Sequence, residues 1–134
     1  MEVLNNYQRK KIDESNDEEF YSDPKFVYHL DLNFRHNLSV LYEKEIDNNS
    51  TVLDLMSSWD SYLPKGKKYK KVIGHGLNKQ ELERNKIFDS YWIQNFNLSQ
   101  QIPLDKESVD YCLMVAAWQY LQYPENLTKE IARI

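Results

Sequence analysis

The stretch TVLDLMSSWDSYLP, residues 51–64, decides the fold of this chain. It opens with the nearly continuous apolar run of a buried β-strand, and Asp54 stands near the end of that run. The loop that follows contains no glycine, although a loop that brings its backbone close to a ligand usually needs one. The stretch therefore predicts a buried strand that leads into an unusual binding loop.

Short β-like runs and helical segments alternate after this stretch. Strands are predicted at 51–55, 71–76, 90–96 and 109–118, and helices at 79–85 and 124–134. Such alternation is typical of right-handed βαβ crossovers, so we predict an α/β fold with a Rossmann-like, mostly parallel sheet of about four strands. Ligands bind such sheets beyond the carboxyl ends of the strands. We therefore expect a site among the loops after Leu55, Gly76, Phe96 and Trp118.

The residues before the sheet predict an arm and a helical cap. Residues 1–20 mix charge with Asn and Ser without periodicity, which is typical of a flexible arm. Pro24 suits the first turn of a helix over about 23–46, whose apolar stripe is formed by Val27, Leu30, Phe34, Leu38 and Leu41. The predicted division is an arm at 1–20 and a single domain at 21–134, comprising a helical cap at 23–47 and a partial sheet at 50–134.

Composition argues against several classes of protein. A chain of 134 residues is long enough for one compact core, and its net charge of −4 argues against a large nucleic-acid footprint. The lysines of KGKKYKK, residues 65–71, favour a solvated turn over a phosphate cradle. We expect a cytoplasmic protein, because the N-terminus lacks the apolar core of a signal peptide and no apolar run is long enough to span a bilayer. The single Cys112 fits a reducing compartment.

No metal site and no catalytic triad are predicted. His29 and His36 lie two turns apart on the predicted helix, about 10 Å along its axis, which is too far for one ion. His75 is either a general base for an acceptor hydroxyl or a hydrogen-bonded turn residue, and the second interpretation is favoured. Cys112 falls within a strand that we expect to be buried, so it is a poor nucleophile candidate.

The stretch IPLDKESVDYCLMV, residues 102–115, resembles the segment that leads into the fourth strand of class I S-adenosylmethionine-dependent methyltransferases, especially the type 11 group. The likeness continues through 119–134, 72–85 and 52–55, and the N-terminal helix is similar to the family's cap over the cofactor. The resemblance implies an S-adenosylmethionine cofactor and methyl transfer to a small-molecule or protein acceptor. The alternative is a non-catalytic methyltransferase-like interaction module that has lost cofactor binding.

The chain departs from this family in the cofactor loop. Met56, Ser58 and Asp60 stand where the family has the glycines of GxGxG, and Gly76 stands where it has an acidic residue for the ribose hydroxyls. Asn95 replaces an acidic residue near the adenine, and its amide oxygen can still accept a hydrogen bond from the adenine amine.

The resemblance also implies which residues meet the cofactor. These are Asp54 for the loop or the amino group, Ser57 and Ser58 for the methionine end, Gly76 and Asn78 near the ribose, Asn95 and Phe96 around the adenine, and Val115 near the methyl group. No catalytic residue is identified, because methyl transfer from a sulfonium depends mainly on positioning.

Members of the family carry three more strands after the helix that corresponds to 124–134. The strand order of their whole sheet is 3-2-1-4-5-7-6. Without them the fourth strand, 109–118, would be an open apolar edge, and such an edge invites pairing with another chain. We expect this edge to be completed by missing C-terminal strands or by a second copy in a homodimer. No nucleic-acid or membrane partner is expected.

Overall fold

Four parallel strands form one sheet in the computed structural model, which describes residues 2–12 and 14–134. In chain order the elements are α1 (Asp17–Phe20), α2 (Leu32–Glu45), β1 (Thr51–Asp54), β2 (Lys71–Gly76), α3 (Lys79–Arg84), β3 (Ser90–Ile93), β4 (Tyr111–Leu113), a short 3-10 helix (Trp118–Tyr120) and α4 (Pro124–Arg133). The strand order is β3-β2-β1-β4. The predicted α/β class and the parallel sheet are confirmed. None of the helices within these residues has the length and apolar character needed to cross a membrane.

Strand β1 lies between β2 and β4 and contributes side chains to two hydrophobic cores. Successive side chains of a strand point to opposite faces of the sheet. On one face Leu53 packs in a cluster with Leu127 of α4, and on the other Val52 packs with Tyr42 of α2. Because helices cover both faces, every residue of β1 is buried, which explains its nearly continuous apolar run.

Helix α2 begins later than predicted. The predicted start at residue 23 is wrong, since α2 begins at Leu32, where the side chain of Asp31 accepts a hydrogen bond from the Phe34 backbone N–H at 2.8 Å. The predicted apolar stripe is largely exposed, for example at Val27 and Phe34. Residues 23–31 are non-helical. Within this segment the ring of Tyr28 packs against Trp59 in the loop after β1. The sequence had not predicted this contact.

Two strands are shorter than predicted. The third strand ends at Ile93 rather than at residue 96, and β4 covers Tyr111–Leu113 rather than 109–118. The residues beyond these ends form turns and side-chain hydrogen bonds. For example, the side chain of Asn95 accepts a hydrogen bond from the Asn97 backbone N–H. Polar residues that hydrogen-bond their own backbone favour turns over continued pairing.

The N-terminal segment contacts the rest of the domain at several points. The Arg9 guanidinium donates to the backbone carbonyl of Gln122 at 2.7 Å and pairs with Glu125. The side chain of Asn97 donates to the carboxylate of Asp17 at 2.9 Å. The flexibility assigned to residues 1–20, like the division of the chain at residue 21, stays a prediction.

Candidate functional site

A cavity of about 580 Å³ lies at the carboxyl ends of the strands, bounded also by residues between Asp17 and Leu30. This volume is typical of pockets that bind small molecules, about 300–1,000 Å³. All eight positions singled out in the sequence line it, namely Asp54, Ser57, Ser58, Gly76, Asn78, Asn95, Phe96 and Val115. The structure therefore brings these residues together, and their contacts with a ligand stay predictions.

A buried carboxylate, that of Asp54, ends strand β1 at this cavity. Only 5% of Asp54 is exposed, and the hydroxyl of Ser57 donates to its carboxylate at 2.6 Å. Burial raises the pKa of Asp54 to about 6, although hydrogen bonds from Ser57 and Ser61 act in the opposite direction. No cation of residues 2–12 and 14–134 forms an ion pair with it. The charged form of Asp54 is thus held by hydroxyl groups alone.

A second carboxylate, that of Glu81, lines the same cavity and was not anticipated from the sequence. The side chain of Asn78 caps α3 by accepting a hydrogen bond from the Glu81 backbone N–H at 3.0 Å. A glutamate at this position usually turns back to the N–H of the cap residue. Glu81 instead accepts a hydrogen bond from the Ser58 hydroxyl at 2.6 Å, is 9% exposed, and has no ion pair among the described residues. The Asn78–Glu81 spacing, just after a predicted strand, was the signal that could have found it.

His75 joins three segments beneath the site. Its Nδ1 accepts a hydrogen bond from the Met56 backbone N–H at 3.0 Å, and its Nε2 donates to the carbonyl of Gln94 at 2.8 Å. The imidazole stacks on Phe96 with ring centroids 4.0 Å apart. Burial lowers the pKa of His75 to about 4. Both ring nitrogens of the neutral form have partners, which leaves no lone pair for a general base. The ring is hydrogen-bonded as expected, but His75 lies within β2 and not in a turn.

Gly76 accommodates the loop after β1. In that loop Met56 has a φ of 52°, a left-handed conformation that costs a non-glycine residue about 1–2 kcal/mol. A Cβ atom at residue 76 would lie 2.7 Å from the carbonyl oxygen of Ser57. The loop backbone therefore occupies the space that any side chain at residue 76 would need. This is the physical reason why no acidic residue ends β2.

Several of the predicted contact residues already have partners in the protein. The amide of Asn78 donates to the carbonyls of Tyr21 and Ser22, at 3.0 and 3.1 Å, and so ties the N-terminal segment to α3. The hydroxyls of Ser57 and Ser58 are used by the two carboxylates. These side chains are therefore positioned to orient the loop and its carboxylates.

Residues of the N-terminal segment also line the cavity, including Phe20, Tyr21 and Lys25. The predicted cap over this site began at residue 23, so the sequence offered no signal for Phe20 and Tyr21, whose place depends on the bonds that Asn78 makes with this segment. Across residues 2–12 and 14–134, no group of three or more His, Cys, Asp or Glu side chains is arranged to hold a metal ion.

No family model and no curated protein matches this sequence, but three solved structures are similar to it in fold. One is the complex between the Trm112 methyltransferase activator of Haloferax volcanii and a methyltransferase, with a TM-score of 0.62, 22% identity, and coverage of 74% of this chain and 46% of that chain. A SAM dependent methyltransferase from Aquifex aeolicus gives a TM-score of 0.55 and 21% identity, covering 78% and 66% of the two chains. The YcgJ protein of Bacillus subtilis gives 0.55 and 15%, covering 73% and 45%.

The chain thus spans about half the length of two of these structures and 66% of the third. At identities of 15–22%, the likeness concerns the fold. This fold is the one found in class I S-adenosylmethionine-dependent methyltransferases.

Proposed function

We propose that this chain binds S-adenosylmethionine at the carboxyl ends of its strands and acts in methyl transfer. The observation that carries the proposal is the pair of buried carboxylates, Asp54 and Glu81, which line one cavity without a cation partner among the described residues. Burying an unpaired carboxylate is costly unless a ligand supplies positive charge or hydrogen-bond donors. S-adenosylmethionine supplies both, through its ammonium, its sulfonium and its ribose hydroxyls.

The donor and acceptor groups of the cavity fit this cofactor. Asp54 would hold the ammonium group, and Glu81 would accept hydrogen bonds from the ribose hydroxyls, since Gly76 has no side chain for that role. Asn95 and Phe96 would hold the adenine, whose flat face suits an aromatic neighbour. Every one of these residues lies on the cavity wall.

When bound, S-adenosylmethionine supplies an activated methyl group that a nucleophile can take in one displacement. The residues of this chain contribute binding, orientation and the exclusion of water. Phe20 and Tyr21 line the cavity from the N-terminal side. Because the pKa of Asp54 is raised to about 6, its carboxylate carries a full charge for a cation only above that pH.

Calorimetric titration with S-adenosylmethionine and with its demethylated product tests the proposal. We expect micromolar binding by the wild-type chain and binding at least about tenfold weaker in Glu81→Gln, because a hydrogen bond to a charged group contributes about 1.5–3 kcal/mol. Glu83→Gln is the matched control, since Glu83 lies in the same helix with half of its side chain exposed. Its affinity should equal that of the wild type. If the folded wild-type protein binds neither compound, the proposal is rejected. The alternative, a non-catalytic interaction module, would then remain.

The edge of the sheet at β4 supports a second part of the proposal, that additional strands complete the sheet there. β4 is only half-buried and pairs with β1 alone among the described strands.

Burial nevertheless raises the pKa of the Cys112 thiol in β4 to about 12, so the thiol is not a nucleophile at neutral pH. The cytoplasmic location expected from the sequence stays a prediction. The mass of the particle in solution tests the homodimer, and a monodisperse monomer would contradict it.

A further inference from the structure

Two arginines and three aromatic rings form a continuous chain of ring contacts beside the cavity. The guanidinium carbon of Arg35 lies 3.5 Å from the ring centroid of Tyr28. That of Arg84 lies 4.5 Å from the centroid of Phe26 and 5.8 Å from that of Trp59. The rings of Tyr28 and Trp59 join the two halves, with centroids 4.6 Å apart. We call this group the arginine–aromatic ladder.

The ladder borders the mouth of the cavity. The hydroxyl of Tyr28 donates to Asp60 at 3.3 Å, and Asp60 lines the cavity. Trp59, between Ser58 and Asp60 in the chain, donates from its indole N–H to the carbonyl of Val27 at 3.2 Å. Lys25 also lines the cavity, and its ammonium lies 4.0 Å from the ring centroid of Phe20. Stacked cations thus lie both in the cavity wall, at Lys25, and beside the cavity, at Arg35 and Arg84.

The arginines of the ladder retain their capacity to bind an anion. Stacking uses the flat face of a guanidinium, whereas its N–H edge binds carboxylate or phosphate with two parallel hydrogen bonds. Neither Arg35 nor Arg84 forms an ion pair with a carboxylate among residues 2–12 and 14–134, although the Nε–H of Arg35 donates to the backbone carbonyl of Asp31 at 3.4 Å. The chain nevertheless has 21 acidic and 17 basic residues. Two guanidinium groups without a carboxylate partner in the described part of such a chain offer N–H donors to an anion from solution.

We propose that the arginine–aromatic ladder binds the oxyanion, carboxylate or phosphate, of a small molecule that also carries a planar ring. Phe26 and Tyr28, 38% and 44% exposed, supply the partly exposed ring surface against which such a ring packs. This molecule is the methyl acceptor, an assignment that rests on the proposed function. The anion site itself does not depend on the cofactor.

Nuclear magnetic resonance titration of the ¹⁵N-labelled chain tests the ladder, with benzoate and phenyl phosphate as probes and neutral benzyl alcohol as the control. The signals to follow are the Nε–H of Arg35 and Arg84 and the indole N–H of Trp59. We expect saturable shifts at millimolar concentrations of at least one anion and none with benzyl alcohol. The more tightly bound anion identifies the acceptor as a carboxylate or a phosphate. No saturable shift with either anion, or equal shifts with benzyl alcohol, would overturn the proposal.

Paired substitutions separate the ladder from general charge. Arg35→Gln with Arg84→Gln should weaken anion binding at least about tenfold, the loss expected when charge-assisted hydrogen bonds are removed. Lys44→Gln with Lys86→Gln removes the same charge outside the ladder and should preserve the affinity. Equal affinity in both double variants would reject the ladder. If the double arginine variant fails to fold, Arg84→Lys replaces it. This variant keeps the positive charge and loses the two parallel N–H donors of the guanidinium. Unchanged anion binding by Arg84→Lys would reject the proposal.

The cofactor titration is independent of these outcomes. Anion binding by a chain that binds neither S-adenosylmethionine nor its product would keep the anion site and reject the methyltransferase assignment. Cofactor binding without anion binding would reject the ladder and keep the proposed function.

Discussion

Replacing Asp54 by Asn should stabilise the fold above pH 6 and change its stability little at pH 4. Burial raises the pKa of Asp54 from 3.8 to about 6, against the hydrogen bonds from Ser57 and Ser61. At about 1.4 kcal/mol for each pH unit, the gap between these two pKa values corresponds to about 3 kcal/mol. Asn keeps an oxygen that accepts the Ser57 hydrogen bond and never carries the charge, so it removes this cost.

The sign of the effect follows from the protons bound in each state. Between pH 3.8 and about 6 the folded chain keeps a proton on Asp54 that the unfolded chain has lost, so the free energy of unfolding falls as pH rises. His75 acts in the opposite direction, because burial lowers its pKa from 6.5 to about 4 and the unfolded chain binds the extra proton. In the wild type these two contributions largely cancel between pH 4 and 6. In Asp54→Asn the contribution of His75 is no longer offset.

Urea denaturation of the wild type and of Asp54→Asn, at half-unit steps from pH 4 to 8, measures the difference. The gain in the free energy of unfolding should grow from near zero at pH 4 to at most about 3 kcal/mol at pH 7. Asp105→Asn is the control, because it makes the same change at a carboxylate that is exposed to water. A flat difference for Asp54→Asn would mean that its carboxylate is well solvated when folded. That result would refute the desolvation on which the proposed cation site depends.

Three further substitutions test local features of the structure. Gly76→Ala places a Cβ 2.7 Å from a loop carbonyl, so urea denaturation should show a loss of about 1–3 kcal/mol. Gly66→Ala, in open space, should show no loss, and equal effects would contradict the close approach. Ala116 has a φ of 52°, so Ala116→Gly should raise the free energy of unfolding by about 0.5–1 kcal/mol. Ala132→Gly, inside α4, should lower it by a similar amount. An increase in both variants would refute the strain at Ala116. Arg9→Gln removes the contact with Glu125, so a glutamate-specific protease should cut the acidic segment after residue 9 faster; an unchanged rate would show that Arg9 does not anchor it.

The strand pattern was predictable because it depends on local sequence and on chain geometry. A run such as Val52–Leu55 is apolar at every position except Asp54, which is typical of a strand covered on both faces. Crossovers between parallel strands are right-handed, so few arrangements of the strands remain. The carboxyl ends of parallel strands share one edge of the sheet, and the predicted positions gather at that edge for this reason.

The start of the cap helix was not predictable from spacing. Val27 and Leu30 recur at helical intervals with the residues of α2, yet they belong to a non-helical segment. Trp59 in the loop after β1 donates a hydrogen bond to Val27 of this segment, and Asn78 before α3 binds Tyr21 and Ser22 just ahead of it. Periodicity describes one element at a time and carries no information about such distant partners.

The sequence by itself determined the class of fold, the direction of the strands and the edge at which a ligand would bind, since these follow from which segments are apolar. Only the tertiary structure decided which further groups face that edge and which contacts the groups there make with one another. Glu81 enters the cavity through a hydrogen bond from Ser58, 23 positions earlier in the chain, and residue 76 must be glycine because the carbonyl of Ser57 passes beside it. The environment of a charge or of a Cβ atom is set by neighbours in space, and folding chooses these neighbours from distant parts of the chain.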